Sequence, residues 1–289
     1  MKKHRFKKMY IEITNVCNLS CDFCPKNSRT QKFMSLEEFD LITTRLQGFG
    51  KFINFHVMGE PLLHPQLGNF LLVAEKKDFQ VNITTNGTLI NKVSEILLNS
   101  KALRQVNFSL HSFDANESSV SMEDYLENIV RFTKHALDKG DLYVSYRLWN
   151  LEDFNCNSEN EKIFGFLEKS FSLDYRLKEE LIEKASIKLS ENLHLNLANK
   201  FDWPDIEKEE AGGRAFCYGL RDQIGVLVDG TVIPCCLDNE GTINLGNLLK
   251  QPMDEILESE RVKKIYNGFS EGRAYEELCK RCGYRNRFR

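Results

Sequence analysis

With 42% hydrophobic and 28% charged residues, the 289-residue chain has the composition of a folded globular protein and not of a disordered one. Its formal net charge of -3 provides no overall field that would gather nucleic acid or acidic lipid, and no run approaches the roughly 20 apolar residues that span a bilayer. At about 150 residues per domain, the length corresponds to one large domain or two unequal ones.

Basic residues crowd the two ends, with Lys2, Lys3, Arg5, Lys7 and Lys8 at one and Lys280, Arg281, Arg285, Arg287 and Arg289 at the other. They read as solvated termini, or as faces toward a phosphate-bearing substrate or an acidic electron donor. The run from Met9 to Asn15 contains Glu12 and is too short and polar for a secretory signal, which places the protein in the cytoplasm. Nine cysteines in that compartment are better explained by metal than by disulfides.

Met9 to Thr14 alternates as a strand and enters N-V-C-N-L-S-C-D-F-C-P, with cysteines at 17, 21 and 24. These positions also mark one face of a helix, where free cysteines serve as small core residues. Against that, Pro25 disfavours helical backbone at Cys24, and Asn15, Asn18, Ser20 and Asp22 prefer caps and turns. Three thiolates hold three irons of a four-iron cluster, leaving the fourth open to a small chelating ligand.

Downstream, Ser35 followed by Glu38 forms a capping box ahead of a helical stripe of Leu36, Phe39, Ile42 and Leu46. Strands are expected at 52–57, 80–84, 105–110 and 142–148, with a weaker sixth at 192–197. Helices are expected at 67–77, at 91–99, from a Ser121 cap to Gly140, and after Ser158. Strands alternating with helices at this spacing argue for right-handed parallel units. The expected fold is α/β, a partial (β/α)6 TIM-like barrel over 1–200, followed by a small α+β domain over 201–289. In such barrels functional groups collect on the loops after the strands. Beyond the Trp203-Pro204 and Gly212-Gly213 boundary, Asp229-Gly230 signals a two-residue hairpin between 224–228 and 231–234. Cys217, Cys235, Cys279 and Cys282 are a four-thiolate set that includes a C-x-x-C pair, which is also a zinc pattern. Cys236 is an alternative to Cys235, Cys156 reads as a plain thiol, and the six histidines show no ligand spacing.

The C-x-x-x-C-x-x-C spacing with Phe23 before its last cysteine resembles the signature of the radical S-adenosylmethionine (SAM) superfamily. Met58-Gly59-Glu60-Pro61 resembles that family's G-G-E-P segment, with methionine for the first glycine. The C-terminal cysteines resemble its SPASM/twitch extension, beginning with Cys217, Gly230 and Cys235. The resemblance implies a [4Fe-4S] cluster on Cys17, Cys21 and Cys24 that binds SAM and cleaves it reductively to a 5'-deoxyadenosyl radical. It also implies an auxiliary [4Fe-4S] cluster on the four C-terminal cysteines and a low-potential donor such as flavodoxin or ferredoxin. Phe288 stands where a full SPASM domain would carry its next cysteine, which points to the shorter, twitch-like form with one auxiliary cluster. The backbone carbonyls of Met58 to Pro61 would receive the amino group of SAM, Ser109 would meet its ribose or carboxylate end, Arg147 its carboxylate and Phe23 its adenine.

Relatives with this extension modify peptide side chains or oxidise small carbohydrates, and few residues precede the first strand to form a peptide-recognition domain. Glu152 and Asp153, just after the fifth strand, are candidates by position for the base that an oxidation requires. The competing readings are a zinc-binding scaffold without catalysis, and a radical enzyme with structural zinc in its C-terminal domain. RNA modification is disfavoured by the net charge.

Overall fold

The computed structural model describes residues 5–113, 121–150, 158–200, 202–212 and 214–288. The chain forms two units, one of Met1–Asn18, Pro25–Val81 and Phe201–Arg289, the other of Leu19–Cys24 and Asn82–Lys200.

The first unit opens with β1 (Lys8–Ile11), which buries Met9 and Ile11. α1 (Leu36–Leu46) begins at the expected cap: the Glu38 N–H donates to the Ser35 hydroxyl at 3.1 Å, and the Ser35 N–H donates to the Glu38 carboxylate at 2.8 Å. Two N-terminal donors are thereby satisfied. β2 (Phe52–Phe55) lies parallel to β1, and α2 (Leu67–Lys76) follows it. Phe39, Phe55 and Phe70 are fully buried, and the rings of Phe39 and Phe70 stack with centroids 4.3 Å apart.

β3 (Gln80–Thr85) carries the chain into the second unit. There α3 (Ile90–Leu98), β4 (Leu103–Ser109), α4 (Met122–Lys139) and β5 (Tyr143–Leu148) continue the alternation. α4 starts at Ser121 and stops at Gly140, whose φ of +83° terminates the helix at little steric cost. α5 (Ser158–Ser170), α6 (Leu177–Glu183), β6 (Ser186–Ser190) and β7 (Leu193–Leu197) complete the unit. β5 pairs in parallel with both β4 and β7, so β7 is the sixth strand of the sequence reading. β6, which that reading lacked, pairs antiparallel with β7 and buries Ile187 alone, too short a signal to register as a strand.

Register divides the second unit's strands into two faces. Phe108, Tyr146 and Leu195 lie side by side and fully buried. Phe108 meets Phe132 of α4 at 5.8 Å, and the Tyr146 hydroxyl reaches Thr133 of α4 at 2.7 Å. The opposite face carries two polar rows, Asn107-Ser145-His194 and Ser109-Arg147-Asn196. Alternation along each strand places polar residues where a ligand could be bound and apolar ones against the helices.

In the first unit's C-terminal stretch, β8 (Gln223–Val226) pairs in parallel with β1 and antiparallel with β9 (Val232–Ile233). α7 (Met253–Glu258), α8 (Glu260–Ser270) and α9 (Glu277–Lys280) follow. The hairpin differs from the expected two-residue form. Leu227 N–H donates to the Thr231 carbonyl and Gly230 N–H to the Leu227 carbonyl, both at 2.8 Å, which leaves a three-residue loop ending in Gly230 at φ +85°. That is the alternative in which glycine takes the left-handed position. The extra residue frees the Val228 N–H for a tertiary contact.

The acceptor of that contact is Glu12, whose side chain is fully buried. Arg29 meets its carboxylate with both terminal nitrogens, at 2.7 and 2.6 Å, and the Val228 and Met58 N–H groups donate to it at 3.0 and 3.2 Å. Burial raises the Glu12 carboxyl above its ordinary range, while Arg29 and the two N–H donors oppose that shift. Removing one member of such a pair strands the other's charge. Glu12→Ala is expected to lower the unfolding free energy by about 3–5 kcal/mol in urea titrations, and Glu12→Ala/Arg29→Met is expected to recover part of the loss. A single-variant loss below about 1 kcal/mol would show that the pair contributes no more than an exposed one.

Candidate active site

The three cysteines of the N-terminal motif lie on irregular backbone. Cys17 and Cys24 are exposed and Cys21 is half-buried. Cys17 belongs to the first unit, and Cys21 and Cys24 to the second. Cys24 N–H donates to the Cys21 carbonyl at 3.2 Å, so these two residues bracket a tight turn and not a helix. Three accessible thiols within eight residues suit a cluster with one iron left for a chelating ligand.

In the first unit the Met58 to Pro61 segment packs on the backbone just before Cys17. Glu60 N–H donates to the Val16 carbonyl at 2.9 Å. A Cβ at Gly59 would lie 2.4 Å from the Thr14 carbonyl oxygen and 2.9 Å from that of Val16, and the Gly59 φ is +76°. Only glycine satisfies both demands. The position before it has no such constraint: Met58 has no positive φ and packs against Val57, Leu227 and Ile233. Glu60 is buried, and its carboxylate accepts from Leu62 N–H at 2.9 Å, capping the short helical turn at Pro61–Leu63. Two of the segment's carbonyls are engaged in that turn, Glu60 by the Leu63 N–H at 3.0 Å and Pro61 by the His64 N–H at 3.1 Å.

In the second unit, the Phe23 ring packs on His111 at 4.8 Å, and His111 stacks with Trp149 at 6.1 Å and 14°. His111 Nδ1 lies 3.1 Å from the Arg147 carbonyl, and the Arg147 guanidinium sits over the Trp149 ring at 5.4 Å. Phe23 and Arg147 are thus joined through one buried imidazole. Ser109 and Arg147 are neighbours in register on the polar face. His64, in the first unit, has a packing role: it is buried against Phe70 and bonded to the Met34 carbonyl and the Gln66 N–H. Glu152, Asp153 and Cys156 lie outside the described residues.

Cys217, Cys235, Cys279 and Cys282 line one cavity with Leu237, Asp238, Phe269 and Arg285. Cys236 is not on that wall; its thiol meets the Tyr10 hydroxyl, and burial pushes it up to about 11. Burial, and then repulsion among the thiolates, raises Cys235 and Cys279 well above the ordinary thiol range. Burial also raises Cys217 and Cys282. Backbone N–H groups of Gly219, Leu237 and Tyr284 point at the sulfurs of Cys217, Cys235 and Cys282. Four crowded, desolvated thiols with donors aimed at them call for cations in their midst, and an iron-sulfur cluster meets that demand. Arg285, grouped from sequence with solvated terminal charges, is 5% exposed and forms part of this wall. Sequence reading also missed Glu12 and Arg29, though a glutamate inside an apolar strand was a visible signal.

Two outcomes follow. Gly59→Ala is expected to weaken SAM binding at least tenfold by equilibrium dialysis, because the segment must retreat from Thr14 and Val16; unchanged binding would show that the backbone there yields freely. Burial pushes His111 down to about 4 from an ordinary 6.5. Its neutral form therefore contributes stability that is complete above pH 6.5 and is lost as pH falls toward 4. Between pH 7 and 5 wild type should lose about 2 kcal/mol more than His111→Gln, measured by urea midpoints; equal losses would place the titration elsewhere.

Comparison with known proteins identifies the family. Residues 11–155 match the radical SAM superfamily, and residues 217–283 match the SPASM iron-sulfur cluster-binding domain. A GTP 3',8-cyclase of Chlorobaculum tepidum is 26% identical, covering 87% of this chain and 84% of its own length. A tungsten-containing aldehyde ferredoxin oxidoreductase cofactor-modifying protein of Pyrococcus furiosus is 29% identical over 46% of this chain and 40% of its own. Among solved structures, BtrN in complex with AdoMet and 2-DOIA superposes with a TM-score of 0.59 at 19% identity, covering 98% of this chain and 94% of its own. Streptococcus suis SuiB bound to S-adenosylmethionine gives 0.62 at 16%, covering 96% and 71%. These likenesses show the fold, the expected α/β partial barrel. Among the described residues no helix is long and apolar enough to cross a membrane. The match over residues 11–155, which contains the three-cysteine loop, makes the chain a member of the radical SAM superfamily, an enzyme of [4Fe-4S] and SAM chemistry with a C-terminal SPASM region for auxiliary iron-sulfur binding.

Proposed function

We propose that this enzyme abstracts a hydrogen atom from a peptide or protein side chain or a small carbohydrate and oxidises or otherwise modifies it, with residues 1–200 as the catalytic barrel and 201–289 as the auxiliary-cluster domain. The observation that carries the reading is the gathering of four half-buried thiols around one cavity in a chain that also bears the three-cysteine loop. When bound, SAM and its cluster supply one-electron cleavage and hydrogen abstraction, and the auxiliary cluster supplies an electron acceptor.

The protein's residues provide ligation, orientation and the proton path. Cys17, Cys21 and Cys24 hold the first cluster. The carbonyls of Met58 to Pro61 orient the SAM amino group, Arg147 takes its carboxylate through a charge-assisted contact, Ser109 meets its ribose or carboxylate end, and Phe23, held by His111, supports its adenine. Cys217, Cys235, Cys279 and Cys282 ligate every iron of a single auxiliary cluster, which suits electron transfer better than substrate ligation. Glu152 or Asp153 accepts the substrate proton.

The polar row Asn107-Ser145-His194 supports a substrate rich in hydroxyl and amide groups. Among structures of like fold, SuiB is bound to a precursor peptide and BtrN is in complex with 2-DOIA. A cytoplasmic setting with flavodoxin or ferredoxin as donor completes the reading. A second substrate, GTP, is favoured by the sequence relatives named for its cyclisation.

The test is iron and sulfide content after anaerobic reconstitution, with SAM cleavage under reducing conditions, for wild type and Cys17→Ala/Cys21→Ala/Cys24→Ala. About eight irons falling to about four, with 5'-deoxyadenosine formed by wild type alone, is the expected result. About four irons plus zinc in wild type would remove the auxiliary acceptor, and no SAM cleavage would sink the proposal. Product formed from GTP in the same assay would replace the peptide or carbohydrate reading.

A further inference from the structure

Arg285 is a cation whose position on the cavity wall goes beyond holding the C-terminus together. It shares that wall with Cys217, Cys235, Cys279 and Cys282, and the residue is 5% exposed. Three backbone carbonyls fix the guanidinium: Cys279 at 2.5 Å, Lys280 at 3.1 Å and Gly212 at 2.7 Å. All three are neutral, so none cancels its charge. Asp238 lines the same cavity, but its carboxylate accepts the Thr242 and Ile243 N–H groups at 2.8 Å each. Among the described residues it makes no ion pair with Arg285.

The Arg285 Nε is buried and finds no hydrogen-bond partner among the described residues. Buried donors are nearly always satisfied, and an exception calls for an unrecorded acceptor. Arg29, Arg221 and Arg281 have a similarly unpartnered Nε, but of the four only Arg285 lines the four-thiol cavity. A thiolate or an inorganic sulfide is an acceptor of the required sign.

We infer that Arg285 is the fixed cationic counterweight of the auxiliary cluster, a positioning residue that raises the cluster's reduction potential. The inference rests on the reading that the four cysteines hold a [4Fe-4S] cluster. Such a cluster with four thiolates is anionic, and taking up one electron makes it more so. A buried positive charge favours the reduced form over the oxidised one, since charge and hydrogen bonding at the sulfurs are the means by which a protein sets cluster potentials. Low dielectric strengthens the effect.

The experiment is an anaerobic redox titration, followed by electron paramagnetic resonance, in the full-length Cys17→Ala/Cys21→Ala/Cys24→Ala background, where the auxiliary cluster alone reports. Arg285→Gln removes the charge and Arg285→Lys keeps it. With about four irons retained, Arg285→Gln is expected to lower the midpoint by at least a tenfold change in the one-electron equilibrium, about 59 mV, while Arg285→Lys stays near the parent. An unchanged midpoint in Arg285→Gln, or an equal fall in Arg285→Lys, overturns the inference while leaving the cluster in place. If Arg285→Gln fails to hold iron, Arg285→Lys decides: full loading at the parental midpoint supports the counterweight, and failure of a folded Arg285→Lys reduces Arg285 to a tie between loops. A parent without iron removes the cluster reading and the inference together.

Discussion

A single carboxylate, sealed from water, ties three separate stretches of the first unit's backbone together. Glu12 directly follows the first strand, just before the cysteine loop, and accepts from Arg29 beyond that loop, from Met58 at the start of the expected SAM-binding segment and from Val228 in the C-terminal hairpin. Charge-assisted bonds in a dry setting hold their geometry more firmly than neutral ones. The Val57–Met58 peptide, with its N–H committed to a carboxylate, has its carbonyl directed the opposite way by planarity and polarised as an acceptor. Ser28 adds a second tie in the same unit, donating through its backbone N–H and its hydroxyl to Glu240.

The two thiol sets are built on opposite physical terms. Cys17 and Cys24 are exposed on a loop, which suits a centre that must admit a small molecule. Cys235 and Cys279 are desolvated and line one cavity with a guanidinium, which suits a centre that changes charge without changing ligands. Between these extremes the chain uses histidine as neutral packing: burial holds both His64 and His111 below their ordinary range, and each is engaged with backbone groups.

How much of this could be read from the chain depended on whether the cause was local. The Ser35-Glu38 box, the Gly140 stop and the alternation of strands 3, 4 and 5 depend on residues a few positions apart, and they occur where expected. The three-residue hairpin was not legible, because Asp229-Gly230 permits two loop lengths and the choice fell to a carboxylate 216 positions away. Met58 in place of glycine looked like a departure; the fold shows that the positive φ belongs to Gly59. Arg285 was misread because a basic run near a terminus usually lies in solvent, and only tertiary contact reveals which of five cations turns inward. The domain that carries the cysteines is visible as spacing; the charges that govern them are not.

The parallel pairing of β1 with β8 joins Lys8–Ile11 to residues 223–226. A strand made among the first dozen residues therefore waits for its second neighbour until most of the chain has been synthesised. Contacts of such long sequence separation carry a loop-closure penalty and slow the search for the native state. Until β8 arrives, one side of β1 presents an unpaired edge directly beside the cysteine loop. The strand that leads into the cysteine loop thus depends for its second partner on a segment more than 200 positions away.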